Sequence, residues 1–496
     1  MLLLAGGLIL WVRLLPPQLP SLAPRAESLL RQRLAQREAA ALPAELAGEA
    51  RRVALQRAVD AWIAAHPDDF ARDLRAERAR LTDALQYIDE SGRPHTYLGD
   101  YDSYTWMRGA RNLLRTGSPC DSEADGVCRD TFTLAPFGYA SPYLGSPHIR
   151  VIAAVHRLLA WLDPHQPLPA SMYATGVAIT LLGVLPAFAI GRRLAGPIGG
   201  FFAALVSGLH PVLLLRSMGA DNDGWNVALP LYAMWAILAA LQSRAIARAA
   251  LGGALAALVI AAHSALWRGW SFGAVVILAG LAGALLLHVV AAWWRSGRAR
   301  AWRTPGSDRV VATALAFALV LGALLPLTDD EFWPGVLAQA SPGAARAAEA
   351  GKVEWPSMFD TVSELRTPNL GAIAAQSFGA MVFLVGWFGM LLMLLPRRRW
   401  QAGHFAVLSV SALLYRYLLT ANALPRLALV ALLVAPMLAA LVVDLRDGEP
   451  QDVDEVAAAL PLVAWLLAGL LLSYEGLRYI LFLAAPLGIA CGVAIG

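Results

Sequence analysis

The chain has 496 residues, of which 58% are hydrophobic and 15% are charged, and its mean hydropathy is +0.54. Soluble domains carry about 25% charged residues, so this composition predicts an integral membrane protein and excludes an ordinary soluble enzyme. The net charge of +4 comes almost wholly from arginines, because Lys352 is the only lysine. Such a charge is too small, and too clearly sorted along the chain, to favour nucleic-acid binding.

Apolar stretches of roughly 18–25 residues, each able to cross about 30 Å of hydrocarbon, recur along the chain. We predict about 11–13 membrane helices. They are placed near residues 2–16, 169–191, 197–215, 225–242, 246–266, 271–293, 310–327, 373–395, 402–420, 426–443, 456–473 and 478–495. The first lies within residues 1–19 and contains Arg13, so we expect a trimmed span or an uncleaved anchor rather than a cleaved signal peptide.

Arginines indicate which connections face the cytoplasm. They cluster in four alternate connections, at residues 192–193, 244–248, 295–309 and 397–399. Because positive residues mark the cytoplasmic side, the other connections are predicted to be extracytoplasmic. The largest of these are residues 20–168 and, within the multi-span domain 169–496, the loop 328–372. The sequence therefore predicts a multi-pass protein of the cell membrane.

Residues 20–168 begin with amphipathic helical patterning, in which apolar residues return every three or four positions. The stretch GDYDSYTWMRGARNLLRTG predicts a helix from about Asp102, as its N-cap, to Gly117. Cys120 and Cys128 follow on the same predicted outer side. An oxidising compartment favours a disulfide between them, and the alternative is two free cysteines that never approach each other.

Carboxylates stand at the ends of the predicted outer connections. Asp100 and Asp102 lie in GDYDSY, Asp221 and Asp223 in GADNDGW, and Glu364 in TVSEL. Taken singly they could be a helix start, a polar turn and a surface charge. Acidic residues near a bilayer are costly to desolvate and point to function, and their oxygens suit Mg²⁺ or Mn²⁺. Together they favour a site on the outer side of the membrane.

Arginines stand beside the same connections. Arg478 and Arg426 each lie where a span begins at the predicted outer face, and Arg216 lies five residues before Asp221. A guanidinium at such a place can bind a lipid-linked phosphate or pyrophosphate. The alternative is an arginine that extends from a helix end to lipid headgroups.

The order of these motifs resembles the catalytic subunit of oligosaccharyltransferases, the membrane enzymes that N-glycosylate asparagine in Asn-x-Ser/Thr sequons. The similarity covers roughly residues 95–495. DSYTWMRGARN resembles the first acidic motif of the family, DND the second, TVSEL the S/T-x-x-E motif of a long outer loop, and GLRYILFLAAP the span whose arginine contacts the donor. These matches favour Asp102 over Asp100, which becomes a helix-start residue, and Arg478 over Arg426.

The resemblance implies an all-α polytopic fold of the GT-C type with a large first extracytoplasmic loop. It implies a divalent cation, Mn²⁺ or Mg²⁺, held by Asp102, Asp221 and Glu364 with Asp223 in or next to the ligand set. Asp102, Asp221 and Glu364 would be the catalytic residues. Arg478, Arg426 and Arg216 would contact the donor, an oligosaccharide on a polyprenyl (pyro)phosphate, and the acceptor would be asparagine of a protein or peptide.

The sequence departs from the family at one point. Members carry a soluble C-terminal domain with a WWDYG-like motif that reads the sequon, and this chain has no such motif. We therefore expect a fragment, a separate sequon-reading protein, or an acceptor other than a sequon. The alternative functions are another GT-C enzyme, such as an O-glycosyl ligase or a lipid-phosphate-sugar-dependent transferase, and a transporter or flippase of lipid-linked sugars.

Overall fold

The computed structural model describes residues 1–43, 48–89, 91–124, 126–141, 143–296, 303–328, 365–395, 402–420, 426–447 and 450–496. Most of these residues are helical. Before the long membrane helices the elements are α1 (Leu2–Arg13), α2 (Leu22–Glu38), α3 (Gly48–Ala65), α4 (Pro67–Leu85), β1 (Gln86–Ile88), β2 (Pro94–Thr96), α5 (Asp102–Thr116), β3 (Ser122–Ala124), β4 (Val127–Asp130), β5 (Tyr139–Ala140) and α6 (Pro147–Leu162).

The remaining helices form a membrane bundle. They are α7 (Leu168–Gly208), α8 (Pro211–Arg216), α9 (Trp225–Leu241), α10 (Ile246–Leu266), α11 (Ser271–Ser296), α12 (Pro305–Leu324), α13 (Leu370–Gln376), α14 (Ala380–Leu392), α15 (Ala402–Thr420), α16 (Arg426–Asp447), α17 (Pro450–Ser473) and α18 (Ala484–Ile495). A 3₁₀ segment, Leu477–Leu483, precedes α18. Each predicted span overlaps at least one helix, so the helical, multi-pass class is confirmed.

Helix α7 is 41 residues long, about twice what a bilayer requires. At Ala195 and Gly196 its backbone leaves the helical conformation. A Cβ on Gly191 would lie 2.6 Å from the Cβ of Ala203, whereas twelve residues along a straight helix are about 18 Å apart. The chain therefore folds back on itself after Gly196, in agreement with two separate spans on either side of residues 192–193.

By length and composition, seven helices among the described residues could each cross a membrane, or up to nine if two bent pairs each count as one span. This number is lower than the prediction partly because α7 is counted once. The predicted span 197–215 is also wrong at its end, since the helix stops at Gly208 and the short α8 starts at Pro211. Proline cannot donate the helical hydrogen bond, and it disfavours helical geometry at His210.

The first large loop contains two small antiparallel sheets that the sequence did not predict. Strand β1 pairs with β2, and β4 pairs with both β3 and β5. Strands of two to four residues are too short to show the alternation by which strands are recognised. The predicted disulfide, Cys120–Cys128, links β4 to the segment just before β3.

Helix α5 begins at Asp102 and ends before Gly117, which has a φ of 82°. The prediction that Asp102 caps this helix is wrong. Asp100 does so, because its Oδ1 accepts the Ser103 amide at 2.7 Å and its Oδ2 accepts the Ser103 hydroxyl at 2.8 Å. The side chain of Asp102 is left exposed to solvent.

Two hydrophobic clusters meet near the candidate site. The larger is the membrane bundle, and the smaller packs α5 and α6 onto the beginning of α7 through Trp106, Ile149 and Met172. Ala220, from the connection between α8 and α9, is buried in the smaller cluster. The residues that follow Ala220 therefore lie where the first large loop sits on the bundle.

Candidate active site

The connection between α8 and α9 carries the second acidic motif, and we call its residues 217–223 the acidic loop. Each residue of its Asp-Asn-Asp motif contacts a different helix. Asp221 Oδ1 accepts the indole N–H of Trp106 at 3.1 Å, and the Asn222 amide donates to the Leu266 carbonyl at 3.1 Å. Asp223 Oδ2 lies 2.6 Å from Arg216 Nε. The motif thereby joins α5, α8 and α10 at one place.

Asp221 is almost fully buried, with 7% of its surface exposed. Its Oδ1 also accepts the amide of Asn222 at 2.7 Å, which starts the short 3₁₀ turn Asn222–Gly224 before α9. The polar turn that the sequence offered as an alternative at this motif is therefore present. Burial raises the pKa of this carboxyl well above its ordinary value, and the negative charges of Asp223 and Asp102 raise it further. The group is thus a carboxyl whose ionised form needs a nearby cation.

A buried polar chain extends from Asp223 into the bundle. Asp223 is 5% exposed, and its Oδ1 accepts the side-chain amide of Asn226 at 3.3 Å. Asn226 Oδ1 in turn lies 2.9 Å from His263 Nε2. The Arg216 guanidinium offsets the charge of Asp223, so this carboxylate is held as an ion pair whose second oxygen is tied to α9.

Sequence reasoning missed the residues that hold the acidic loop from the other side. His148 Nε2 lies 2.8 Å from the Ala220 carbonyl, and the indole N–H of Trp225 donates to His148 Nδ1 at 3.1 Å. His148 therefore donates from Nε2 and is neutral, in agreement with a pKa that burial lowers to about 4. The histidine is the second residue of the amphipathic helix α6, and no local pattern distinguishes it from other interfacial residues.

Asp102 belongs to the same neighbourhood. It lies one turn before Trp106 on α5, and its charge contributes to the raised pKa of Asp221. The start of α5 also packs directly on the acidic loop, since a Cβ on Gly219 would lie 2.7 Å from Ser103 Oγ. The structure therefore brings together three of the predicted acidic residues, Asp102, Asp221 and Asp223.

Comparison with known proteins identifies the family. The family model described as "Oligosaccharyl transferase STT3, N-terminal" matches residues 79–495. The chain belongs to this family. A dolichyl-phosphooligosaccharide-protein glycotransferase of Methanococcus voltae is 22% identical over 452 residues, which make up 85% of this chain and 44% of that protein.

Two further similarities point to archaeal proteins. The dolichyl-monophosphooligosaccharide–protein glycotransferase AglB of Haloferax volcanii is 27% identical over 119 residues, 24% of this chain and 11% of that protein. The structure of the oligosaccharyltransferase AglB from Archaeoglobus fulgidus, in complex with an inhibitory peptide and a dolichol-phosphate, has a TM-score of 0.42 and 13% identity over 84% of this chain and 48% of that chain. The chain spans less than half the length of each of these proteins.

Of the predicted donor-binding arginines of this STT3-family chain, the structure describes the side chain of Arg478 but not that of Arg426. Arg478 is half-buried in the 3₁₀ segment that packs against α8 and α9, with its guanidinium carbon 5.9 Å from the Tyr479 ring centre. The segment that carries Arg478 therefore contacts α8, the helix that ends at Arg216. Arg426 begins α16, but its side chain lies outside the described residues, as do Glu364 and most of the loop 328–372.

The metal prediction stays a prediction in this STT3-family chain. Among the described residues, no three histidine, cysteine, aspartate or glutamate side chains form a group able to hold a metal ion. The donor set nevertheless has the right chemistry, since two buried carboxylates and the neighbouring Asp102 supply only hard oxygen ligands. The raised pKa of Asp221 also marks a place where a cation would stabilise the ionised carboxylate.

Proposed function

We propose that this STT3-family protein transfers an oligosaccharide from a polyprenyl (pyro)phosphate to asparagine of an acceptor protein, at the extracytoplasmic face of the cell membrane. Family membership and the acidic loop support the proposal together. The single observation that carries it is the burial of Asp221 against Trp106, with the charges of Asp102 and Asp223 nearby. Folding tolerates such a concentration of negative charge only at a considerable cost, which a purely structural loop has no reason to bear.

The acidic residues fit a divalent cation. Asp102, Asp221 and Asp223 would hold Mn²⁺ or Mg²⁺ from α5 and the acidic loop, and Glu364, in the outer loop 328–372, would complete the set of ligands. When bound, the cation would act as a Lewis acid that fixes the carboxylates and the acceptor side chain relative to each other. Arg216 already neutralises Asp223, so Asp223 is less well placed than the other carboxylates to bind the cation directly.

The chain itself would orient the acceptor. An asparagine amide is a very poor nucleophile, so placing its nitrogen against the anomeric carbon is a large part of the catalysis. Carboxylate oxygens of Asp102, Asp221 and Glu364 would accept the amide N–H bonds. The new N–C glycosidic bond forms, the C–O bond to the phosphate breaks, and the amide nitrogen passes one proton to one of these carboxylates, with inversion at the anomeric carbon.

Arginine would assist departure of the leaving group. Arg478 and Arg216 lie on adjoining segments, so a phosphate between them would meet two guanidinium groups. Charge developing on that phosphate is stabilised by fixed positive groups in a site with little water. Arg426 is the third candidate, at the beginning of α16.

The test is transfer from a lipid-linked oligosaccharide to an Asn-x-Thr peptide by the purified membrane protein, with Mn²⁺ or with a chelator. Asp102→Asn, Asp221→Asn and Glu364→Gln each remove one charge at nearly constant volume. We expect each to lower transfer at least about 100-fold, because the geometry of the reacting atoms depends on these groups. The matched control is Asp83→Asn, which changes an exposed aspartate on α4 and should leave transfer unchanged.

The outcomes separate the alternatives. Transfer that persists in the chelator, or in all three variants, contradicts the acidic site. Transfer to a serine or threonine peptide and not to asparagine identifies an O-linking enzyme. Movement of the lipid-linked sugar across a vesicle membrane without transfer identifies a flippase; the position of Asp221 before its span rather than inside it argues against that reading.

A further inference from the structure

Arg13 is the last residue of α1, a helix of apolar residues that lies outside the family match. It is 5% exposed. Burying an arginine at the end of an apolar helix costs free energy, and its charge is normally paired with a carboxylate or hydrogen-bonded to carbonyl oxygens. Among the described residues no carboxylate pairs with Arg13. The partners are neutral oxygens instead.

Those oxygens belong to the acidic loop and to α7. Arg13 Nη1 donates to Ser217 Oγ at 3.0 Å, and Nη2 donates to the carbonyls of Ser217 and Gly176, both at 2.9 Å. Ser217 is the first residue of the acidic loop and lies four residues before Asp221. One planar guanidinium therefore fixes the point at which the loop leaves α8 to a fixed point on α7.

Contacts from α5 and α6 hold the other end of the acidic loop, so the hydrogen bonds of Arg13 fix a loop that is already restrained at that end. Gly219 packs on Ser103, and the Ala220 carbonyl accepts a hydrogen bond from His148. Ala220 has a φ of 73° although it is not glycine, a conformation that costs free energy and persists only where neighbouring contacts impose it. The backbone before Asp221 is thus held at both ends, and Arg13 supplies the end nearest α8.

We propose that Arg13 is a positioning residue, which acts through Ser217 to fix the acidic loop and hence the direction of the Asp221 carboxylate. Its guanidinium binds neither substrate nor metal. Removing it leaves the buried Ser217 carbonyl without its donor and takes away one donor to Ser217 Oγ. The kinetic part of this inference rests on the proposed function, whereas the structural part does not.

The first experiment needs no substrate. Hydrogen–deuterium exchange is measured on the full-length protein for peptides that cover residues 217–223, in wild type, Arg13→Met, Ser217→Ala and Arg25→Met. We expect exchange in this loop to rise about tenfold in Arg13→Met and less in Ser217→Ala, which loses one of the three bonds. Arg25→Met alters an exposed arginine on α2 and should change nothing, as should peptides from α12 in every variant.

The second experiment measures transfer to the peptide acceptor. Loss of positioning lowers kcat about tenfold in Arg13→Met with little change in the KM for the donor, and Arg13→Lys restores part of it. If Arg13 only attached α1 to the bundle, its replacement would lower the melting temperature of the whole protein and leave the kcat of the folded fraction unchanged. Where Arg13→Met does not fold, Ser217→Ala and Arg13→Lys carry both measurements.

Loop exchange that is unchanged in Arg13→Met, or that rises equally in α12, overturns the proposal. The proposal is also overturned if the wild-type enzyme transfers sugar and Arg13→Met transfers it with the same kcat. If wild type transfers nothing, the proposed function fails, and the exchange measurement alone then decides whether Arg13 positions the loop.

Discussion

Gly176 lies on α7 at a point where the acidic loop packs against that helix. A Cβ at this position would come closer than 3.0 Å to the Ser217 carbonyl oxygen and would lie 3.3 Å from the Ala220 nitrogen. Both neighbours are backbone atoms, which cannot rotate away as a side chain can. Gly176→Ala must therefore push the acidic loop off α7.

The size of the effect follows from the geometry. Bringing the Ser217 oxygen to the shortest distance found for real Cβ contacts moves it by about half an ångström. Misplacing a catalytic group by about 1 Å costs roughly 100-fold in rate, so half that displacement costs about tenfold. The free energy of unfolding should fall by no more than about 2 kcal/mol, since the alanine gains about 1 kcal/mol of helix propensity against about 1–3 kcal/mol of overpacking.

The assay is single-turnover transfer to an Asn-x-Thr peptide, with the melting temperature measured on the same preparations. The control is Gly183→Ala, seven residues further along α7, where a Cβ would lie 3.4 Å from the nearest atom, an ordinary contact. We expect about a tenfold loss in Gly176→Ala and wild-type transfer in Gly183→Ala. Transfer within twofold of wild type in folded Gly176→Ala, or an equal loss in both variants, refutes the reasoning.

Asp100→Ala should lower the free energy of unfolding by about 1 kcal/mol through the lost cap, measured by urea titration, whereas Asp102→Ala should leave stability nearly unchanged and abolish transfer. Because the pKa of His148 is lowered from 6.5 to about 4, the stability that depends on its neutral ring is present above pH 6.5 and lost as the pH falls towards 4. His148→Gln should therefore flatten the fall in melting temperature between these values. Replacing Cys120 and Cys128 by serine opens an eight-residue link and should destabilise the first large loop by about 2 kcal/mol, seen as faster proteolysis there.

Much of the fold could be predicted because bilayer physics is local. A span needs only a run of apolar residues of sufficient length, and each predicted span overlaps at least one helix. The reversal after Gly196 lies next to the arginines of residues 192–193, as charge sorting predicted. Where the prediction was wrong, at His210 and at the cap of α5, the deciding feature was a single side chain or proline.

The site is different in kind. The sequence picked out Asp102, Asp221 and Asp223 because acidic residues at span ends are rare, but the role of each as a ligand is still to be tested. It did not pick out Trp106 or His148, which contact the acidic loop from residues 115 and 72 positions away. Their types are common at membrane interfaces, so nothing local marks them.

By itself the sequence determined that this chain is a polytopic membrane protein, which residues form its spans, and which carboxylates stand where charge is costly. Only the tertiary structure decided which of those carboxylates are buried and which residues hold them. The reason is that the lipid bilayer favours any apolar segment of sufficient length, independently of the rest of the chain. The conformation of the acidic loop depends instead on hydrogen bonds from Arg13, Trp106 and His148. These residues belong to three different helices, which come together only when the bundle is complete.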